Sequence, residues 1–349
     1  MKRSINIRYF LLIIFFVFNS FSVSTSNKNV GFVDKNTNIG SNADVPLQYY
    51  PEALTKEVSV KLDSVFKRFN KRYDFHGSVI VAKKGKVIFN DQYGYADFKK
   101  KTRIDEHSIF QLASVSKQFT AAAIMILKEK GQLDLDDKVT KFYPDFPYAE
   151  VRLRHLLNHT SGLPKYFWLA EHKWDKDYPP SNEEMMDMFA SHDVQRFFSP
   201  GANFDYSNTG YMVLASVIEK VSGKSFGDFL TDEIFKPLHM DHSFVYRFET
   251  DEIRDHQLSG YRIYKRRWHA KISGTVNDAV VGDKNVYSTT EDMLKWVQGL
   301  NSGKIISQKS LEEMYSKGET KYNRKVPYGF GFRIKDDSDM VIYHNGKWN

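Results

Sequence analysis

The segment Ser114-Val-Ser-Lys-Gln-Phe-Thr120 carries a serine and a lysine three residues apart. Apolar periodicity predicts a helix from Ser114 to Lys130, with Gly131 ending it. Residues three apart on a helix lie on one face, so Lys117 would be a neighbour of Ser114. A serine hydroxyl is a poor nucleophile until a base removes its proton. The segment therefore predicts a serine nucleophile that a lysine activates.

Two later motifs complete this interpretation when they are taken together. Tyr206-Ser-Asn208 is weak by itself, because a serine or asparagine there is also typical of a helix N-cap. His344-Asn-Gly346 is weak as well, since a lone histidine is usually an ordinary polar residue and a glycine can mark a turn. In this order, the three motifs can supply a nucleophile, a proton shuttle and substrate hydrogen bonds.

Other patterns in the sequence compete with this interpretation. A second Ser-x-x-Lys, Ser64-Val-Phe-Lys67, falls in an amphipathic helix predicted near 52–72, where both side chains would be solvated. His155 and His159 have the spacing of a zinc-binding helix, but a glutamate base and a third ligand are missing. No nucleotide-binding fingerprint is present, and the chain has no cysteine. The sequence thus predicts neither a metal nor a cofactor.

The amino terminus has the features of an export signal. A basic start precedes Tyr9–Phe18, an unbroken apolar run of ten residues that suits a signal peptide better than a membrane span. Ser22-Val-Ser24 offers a cleavage pattern, so we predict a signal peptide over 1–24. An uncleaved membrane anchor is the alternative. We expect an exported protein, periplasmic or secreted, with membrane contact only through an uncleaved N-terminus.

Charge argues against a nucleic-acid partner. The formal charge of the 349 residues is +7 and falls to +4 once the three basic residues of 1–24 are removed. The densest basic stretch, Arg262–Lys271, is interpreted as a solvated face, with a surface for polyanions as the second reading.

The order of elements predicts an α+β fold. A linker over 25–50 precedes a domain over 51–349. Strand-like segments near both ends, in 51–131 and 281–349, would form one antiparallel sheet flanked by helices. The region 132–280 would be an all-helical insertion.

At this point the sequence resembles the serine β-lactamase and penicillin-binding-protein-like hydrolases, on the class C side. Besides the three motifs, Arg154-His-Leu-Leu-Asn-His-Thr-Ser-Gly-Leu-Pro164 resembles the family's structural signature, and Lys236-Pro-Leu-His-Met240 and Val286–Asp292 resemble later ones. The likeness runs from about Gly77 to Asn349. It implies a catalytic cleft between the sheet and the helical part.

The resemblance also implies roles for the site residues. Ser114 would attack a carbonyl, Lys117 would take its proton, and Tyr206 would pass a proton to the leaving group. The substrate would contact Asn208, His344 and Gly346. The backbone N–H groups of Ser114 and Lys347 would form the oxyanion site.

The sequence departs from the family pattern in two ways. Asn345 stands where the family usually has threonine or serine, which argues against a substrate carboxylate at this position. The family also normally continues past this point into further strands and a helix, so the sequence is expected to be truncated at its C-terminus.

The predicted function is an exported serine hydrolase that acts on amide or ester bonds through a Ser114 acyl-enzyme. D-Amino-acid peptides or esters are expected as substrates, with β-lactams as a further class and peptidoglycan-derived peptides within reach. The alternative is a penicillin-binding or peptide-binding protein that does not turn over.

Overall fold

The structure is a computed structural model that describes residues 47–248, 251–264, 267–270, 274–336 and 340–348. The predicted signal peptide and nearly all of the predicted linker lie outside these residues. Among the helices it describes, none combines the length and the apolar character needed to cross a membrane.

Nine α-helices are present in the described residues. They are α1 Glu52–Tyr73, α2 Lys117–Glu129, α3 Leu153–Leu157, α4 Tyr166–His172, α5 Asn182–Ser191, α6 Asn208–Ser222, α7 Phe226–Leu230, α8 Thr290–Asn301 and α9 Gln308–Met314. Short 3₁₀ turns cover Ala113–Ser116 and Val139–Lys141, and a π-helical turn covers Thr231–Phe235.

Eleven short strands accompany these helices in the same part of the chain. They are β1 Gly77–Lys83, β2 Lys86–Tyr93, β3 Tyr95–Asp97, β4 Thr102–Arg103, β5 Phe110–Gln111, β6 Phe244–Val245, β7 Tyr261–Tyr264, β8 Arg267–Ala270, β9 Val286–Ser288, β10 Arg333–Asp336 and β11 Met340–Tyr343. All pairings between them are antiparallel: β1–β2, β3–β4, β7–β8, β10–β11 and the three-stranded order β5–β9–β6. The mixture of helices and antiparallel strands confirms the α+β class.

The sheet differs in detail from the single sheet that the sequence suggests. The hairpin β1–β2 and the pair β10–β11 are not hydrogen-bonded to each other in the described residues. The strands are two to eight residues long, so most pairs have few ladder hydrogen bonds. The two ends of the chain are joined instead by the pairing of β5 with β9 and by the packing of α8 on β1.

One large apolar core holds the helical part and the site together. Helix α6 is buried along ten of its fifteen residues and packs against α2, α3, α5 and α7. Helix α2 is buried from Lys117 through Leu127. Burial of this kind contributes about 25 cal/mol per Å² of apolar surface. The two helices that begin at the predicted catalytic motifs are thus the most deeply fixed elements of the molecule.

A smaller cluster anchors the amino-terminal helix. Phe66 of α1 packs against Val79, Phe89 and Tyr93 of the β1–β2 hairpin, with ring centroids 5.8 Å apart for Phe66 and Tyr93. The helix ends where Asp74 adopts a left-handed conformation.

Candidate active site

The candidate nucleophile lies on a tight turn that leads into α2. Ala113, the residue before Ser114, has a φ of +49°, a conformation that is uncommon for residues other than glycine, asparagine and aspartate. Strand β9 holds this turn, since Leu112 N donates to Val286 O at 2.9 Å and Val286 N donates to Ser116 Oγ at 3.1 Å. Ser114 is half-buried, so its hydroxyl is positioned by a rigid frame and still reachable.

Lys117 is fully buried at the start of α2 and points at the serine. Its Nζ lies 2.8 Å from Asn208 Oδ1, 2.8 Å from Asp283 O and 3.3 Å from Ser114 Oγ. The two short hydrogen bonds use two N–H groups. The third direction, toward Ser114, suits either a donated N–H or the lone pair of a neutral amine. The side chain is therefore oriented to accept the serine proton.

The Tyr206–Asn208 motif forms the start of α6, and it serves as a helix cap as well. Ser207 is the N-cap, and its Oγ accepts from Gly210 N at 3.3 Å. Tyr206 and Asn208, on either side of this cap, both approach Lys117. The Nζ of Lys117 lies 5.1 Å from the centre of the Tyr206 ring. The Tyr206 hydroxyl is buried and has no hydrogen-bond partner among the described residues.

His344 follows β11 directly and is 4% exposed. Its Nδ1 donates to Asn345 O at 2.8 Å, because a carbonyl can only accept, and its Nε2 then accepts from the Tyr328 hydroxyl at 2.8 Å. Burial, with the charge of Lys117 second, lowers the pKa of His344 well below its usual value. The ring is therefore neutral. Both of its nitrogens form hydrogen bonds within the protein, so neither is free for substrate. This differs from the substrate contact that the sequence had suggested for His344.

Gly346 runs against the nucleophile turn. A Cβ at this position would lie 2.3 Å from Leu112 O and 3.3 Å from Ala113 Cβ, so no side chain fits. The segment that continues into Lys347 therefore lies against the turn that carries Ser114. The predicted oxyanion pair is thus drawn from two segments in direct contact.

A buried ionic network beneath the site was not predicted. Lys284 and Asp283 are each 1% exposed, and Lys284 Nζ lies 3.3 Å from Asp283 Oδ1. Lys284 Nζ also donates to Tyr166 Oη at 2.7 Å, and Tyr166 Oη donates to Asp283 Oδ2 at 3.1 Å. Asp283 therefore connects two buried lysines, Lys117 through its carbonyl and Lys284 through its carboxylate. The sequence contains one signal for this network: the charged pair Asp283-Lys284 directly follows the apolar segment Val280-Val-Gly282.

Two further side chains near the site were also missed. The guanidinium carbon of Arg333 lies 4.9 Å from the centre of the Tyr206 ring. Trp348 stacks beside Lys284, whose Nζ is 4.8 Å from the indole ring, and its Nε1 donates to Asp278 Oδ1 at 3.0 Å. Trp348 also lines a shallow pocket with Gln111, Asn285 and several aromatic residues. Gln111, one of the residues that line this pocket, is three residues before Ser114 in the sequence.

The patterns that competed with this site have other roles. In α1, Lys67 forms an ion pair with Asp63 at 2.7 Å and is exposed, as expected for a solvated position. His155 Nδ1 accepts from Arg152 N at 3.2 Å in the cap of α3. His159 Nδ1 accepts from Ser207 N at 3.1 Å, so this histidine supports the start of α6.

Known proteins that are similar to this chain indicate its family. A family model described as Beta-lactamase matches residues 62–349. The chain belongs to the beta-lactamase family. The resemblance seen in the sequence motifs is thereby confirmed.

Similar members of the family carry several names. Penicillin-binding protein 4* of Bacillus subtilis is 35% identical over 299 residues, covering 82% of this chain and 66% of that protein. Teichoic acid D-alanine hydrolase of Staphylococcus aureus is 27% identical, covering 88% of this chain and 77% of that protein. Among solved structures, D-amino acid amidase from Ochrobactrum anthropi has a TM-score of 0.67 at 27% identity and covers 84% of each chain. This beta-lactamase-family chain spans about two thirds of the length of the first curated relative.

Proposed function

We propose that this protein is a serine hydrolase that cleaves esters or amides of D-amino acids through a Ser114 acyl-enzyme. One observation carries the proposal: the buried Lys117 amine lies 3.3 Å from Ser114 Oγ and is held there by two shorter hydrogen bonds. The printed names of relatives, a D-alanine hydrolase and a D-amino acid amidase, support this substrate class.

The residues suit two acyl-transfer steps. Ser114 Oγ attacks the substrate carbonyl carbon while its proton moves to Lys117 Nζ. The resulting oxyanion accepts from the backbone N–H groups of Ser114 and Lys347. The C–O or C–N bond then breaks, and Tyr206 passes the proton to the departing oxygen or nitrogen. Water attacks the acyl-enzyme by the same route in reverse and releases the acid.

The third motif favours neutral substrates over those that carry a carboxylate. His344 is uncharged and its nitrogens are already bonded, so it brings no positive charge to the cleft. Asn345 is exposed and has no hydroxyl. We therefore propose activity on esters and amides of D-amino acids ahead of efficient β-lactam hydrolysis.

A substrate panel tests this proposal. Purified protein is assayed with D-alanyl and L-alanyl esters, D-alanine amide, a D-alanyl-D-alanine peptide and a chromogenic cephalosporin, with Ser114→Ala as the control. We expect turnover of the D-alanyl ester or amide, and none by the variant. Turnover of the cephalosporin alone would overturn the substrate class.

A binder that is acylated without turnover is the second candidate. It is favoured by the Tyr206 hydroxyl, which lacks a hydrogen-bond partner among the described residues and so is not connected to Ser114. A burst of about one product per protein with no steady phase would support this candidate.

We also propose that the protein is exported and acts on cell-wall material. The apolar run at Tyr9–Phe18 supports export. Mass spectrometry of the mature N-terminus tests it: a start near residue 25 is expected, and an intact Met1 in the membrane fraction would favour an anchor.

A further inference from the structure

The indole of Trp348 is held by three residues to which the proposed mechanism gives no role. Its Nε1 donates to Asp278 Oδ1 at 3.0 Å. The Lys284 amine lies 4.8 Å from the centre of the ring. The ring of Phe167, in α4, lies 5.7 Å away at an interplanar angle of 47°. An acceptor, a cation and a second ring therefore fix the position of this side chain.

The amine of Lys284 is a rigid support for the indole, because each of its N–H groups has an acceptor. The acceptors are Tyr166 Oη at 2.7 Å, Val280 O at 2.9 Å and Asp283 Oδ1 at 3.3 Å. An ammonium group has three N–H donors, so this set of acceptors suits the charged form of the lysine. A cation within about 6 Å of a tryptophan ring is attracted to the ring face. Lys284 therefore both attracts and orients the indole.

The carboxylate of Asp278 is a second rigid support, and it is connected to the frame of the nucleophile. Asp278 is 5% exposed, and its Oδ2 accepts from Gly274 N at 3.0 Å and from Thr275 N at 2.7 Å. Its carbonyl accepts from Asn285 Nδ2 at 2.6 Å. Asn285 directly precedes strand β9, which holds the turn that carries Ser114. The indole is therefore tied to the same strand that positions the nucleophile.

Lys347 lies between two residues whose positions are fixed. On one side, Gly346 packs so closely against Leu112 O that a Cβ would not fit. On the other side, Trp348 is held by the three contacts of its indole. The N–H that the proposed function assigns to the oxyanion belongs to the peptide bond between Gly346 and Lys347. Holding both neighbours of Lys347 therefore holds the direction of this N–H.

We propose that Trp348 is a positioning residue that keeps the N–H of Lys347 directed at the oxyanion, a role that rests on the proposed Ser114 acyl-enzyme. Trp348 takes no part in proton transfer, since the one polar group of its side chain, Nε1, is bonded to Asp278. A displacement of about 1 Å in an active site can lower a rate by roughly a hundredfold. Loss of the indole should therefore slow the reaction and leave the binding of unreacted substrate unchanged.

Two substitutions of Trp348 separate its hydrogen bond from its packing. Trp348→Phe removes the indole N–H and keeps a ring beside Lys284, whereas Trp348→Leu removes both. We expect kcat for a small D-alanyl ester to fall about tenfold in Trp348→Phe and about a hundredfold in Trp348→Leu, with KM unchanged. Inhibition by a boronic acid, whose adduct with Ser114 resembles the tetrahedral intermediate, should weaken by similar factors. Variants in which KM rises while kcat stays at the wild-type value would overturn the proposal.

A spin label reports on this segment without relying on turnover. The chain has no cysteine, so Asn345→Cys introduces a single labelling site, at an exposed residue beside Gly346. In this background, Trp348→Leu should narrow the nitroxide spectrum, because the segment loses its anchor and moves more freely. An unchanged spectrum would overturn the docking of the indole. A wild type without turnover would contradict the proposed function instead, and the spectra would then still decide whether the indole is docked.

A matched tryptophan controls for the loss of an indole. Trp174 makes the same two kinds of contact, since its Nε1 donates to Tyr178 O and the Lys176 amine lies 4.7 Å from its ring. These residues follow α4, and none of them is a site residue. Trp174→Leu should therefore keep the kcat, KM and boronic acid affinity of the wild type. An equal loss of kcat in Trp174→Leu and Trp348→Leu would overturn the positioning role of Trp348.

Discussion

At the scale of single residues, the site depends on buried polar groups whose orientation is set by hydrogen bonds. Tyr328 is an example, because its hydroxyl fixes the tautomer and orientation of His344. The variant Tyr328→Phe leaves His344 Nε2 buried without that partner, which should cost about 1–3 kcal/mol of stability. It should also slow acylation of Ser114 by roughly tenfold or more, because the strand beside the nucleophile loses its anchor.

A distant tyrosine provides the control for this variant. Tyr143 donates to Ser216 O at 2.9 Å, about two turns further along α6 than the site residue Asn208. Tyr143→Phe should reduce stability in urea without changing the acylation rate. Equal rates for wild type and Tyr328→Phe would contradict the positioning role of Tyr328.

The Asp283–Lys284 pair allows a second prediction at this scale. Lys284→Met leaves the Asp283 carboxylate buried without its cation, and breaking a buried pair in this way costs about 3–5 kcal/mol. The double variant Asp283→Asn, Lys284→Met should recover part of that loss, since no lone charge remains. Urea unfolding measures both.

An exposed pair is the comparison for this experiment. Lys61 and Glu57 form an ion pair with side chains that are 72% and 83% exposed. Lys61→Met should leave the unfolding midpoint nearly unchanged. A double variant that is no more stable than Lys284→Met alone would show that the buried pair is not coupled.

At the scale of elements, the sequence predicted those whose signals are local. The helix predicted near 52–72 is observed at Glu52–Tyr73, and Gly223 ends α6 with a φ of +69°. The segment Ser288-Thr-Thr-Glu291 has the pattern of a capping box, and this pattern predicts the N-cap one residue too early. The N-cap of α8 is Thr289, which accepts from Asp292 N, because Ser288 is still in β9 and bonds to Ser243.

The contact between the last described segment and the nucleophile turn gives a prediction about elements. Gly346→Ala would place a methyl group 2.3 Å from Leu112 O, so the segment must move away from the turn. A displacement of about 1 Å at such a site can cost roughly a hundredfold in rate. Stopped-flow acylation measures the loss.

Gly131→Ala is the matched control for that substitution. Gly131 has a φ of +69°, and a Cβ there meets no described atom within 4 Å. This variant should lose about 1 kcal/mol of stability from backbone strain and keep its acylation rate. Similar acylation rates for the two alanine variants would show that the close approach of Gly346 is not needed.

At the scale of the whole molecule, motif order was a better guide than periodicity. The motifs of Ser114, Tyr206 and His344 could be assigned to one site from the sequence because each has a recognisable pattern. Tyr328 and Arg333 could not, since an isolated tyrosine or arginine gives no signal of what it will contact. Apart from the β1–β2 hairpin, whose two strands are adjacent in the sequence, the pairing of strands escaped prediction, because ladders of two to four residues depend on tertiary packing rather than on local sequence.

Three histidines, His155 half-buried and His159 and His344 buried, predict how stability depends on pH. Burial lowers the pKa of His155 to about 4, and the pKa values of His159 and His344 well below the usual value of 6.5. Below about pH 6.5 the unfolded chain therefore binds more protons than the folded protein, and stability falls on acidification. Depressed carboxyl pKa values, as for Glu184 at about 2, act only below about pH 4.5.

Urea unfolding at several pH values between about 5 and 7.5 checks this effect. The free energy of unfolding should decrease steadily as the pH falls through this range. A free energy that is constant or rises on acidification would mean that these histidines take up protons in the folded state.

The most direct test of the whole account is covalent labelling of the nucleophile. A fluorophosphonate probe is added to the wild type, Ser114→Ala and Lys117→Met, and the labelled peptide is identified by mass spectrometry. The account predicts one label per molecule, on Ser114, no label on Ser114→Ala, and labelling about a hundredfold slower or worse in Lys117→Met. Labelling that survives Ser114→Ala, or that proceeds at the wild-type rate in Lys117→Met, would contradict it.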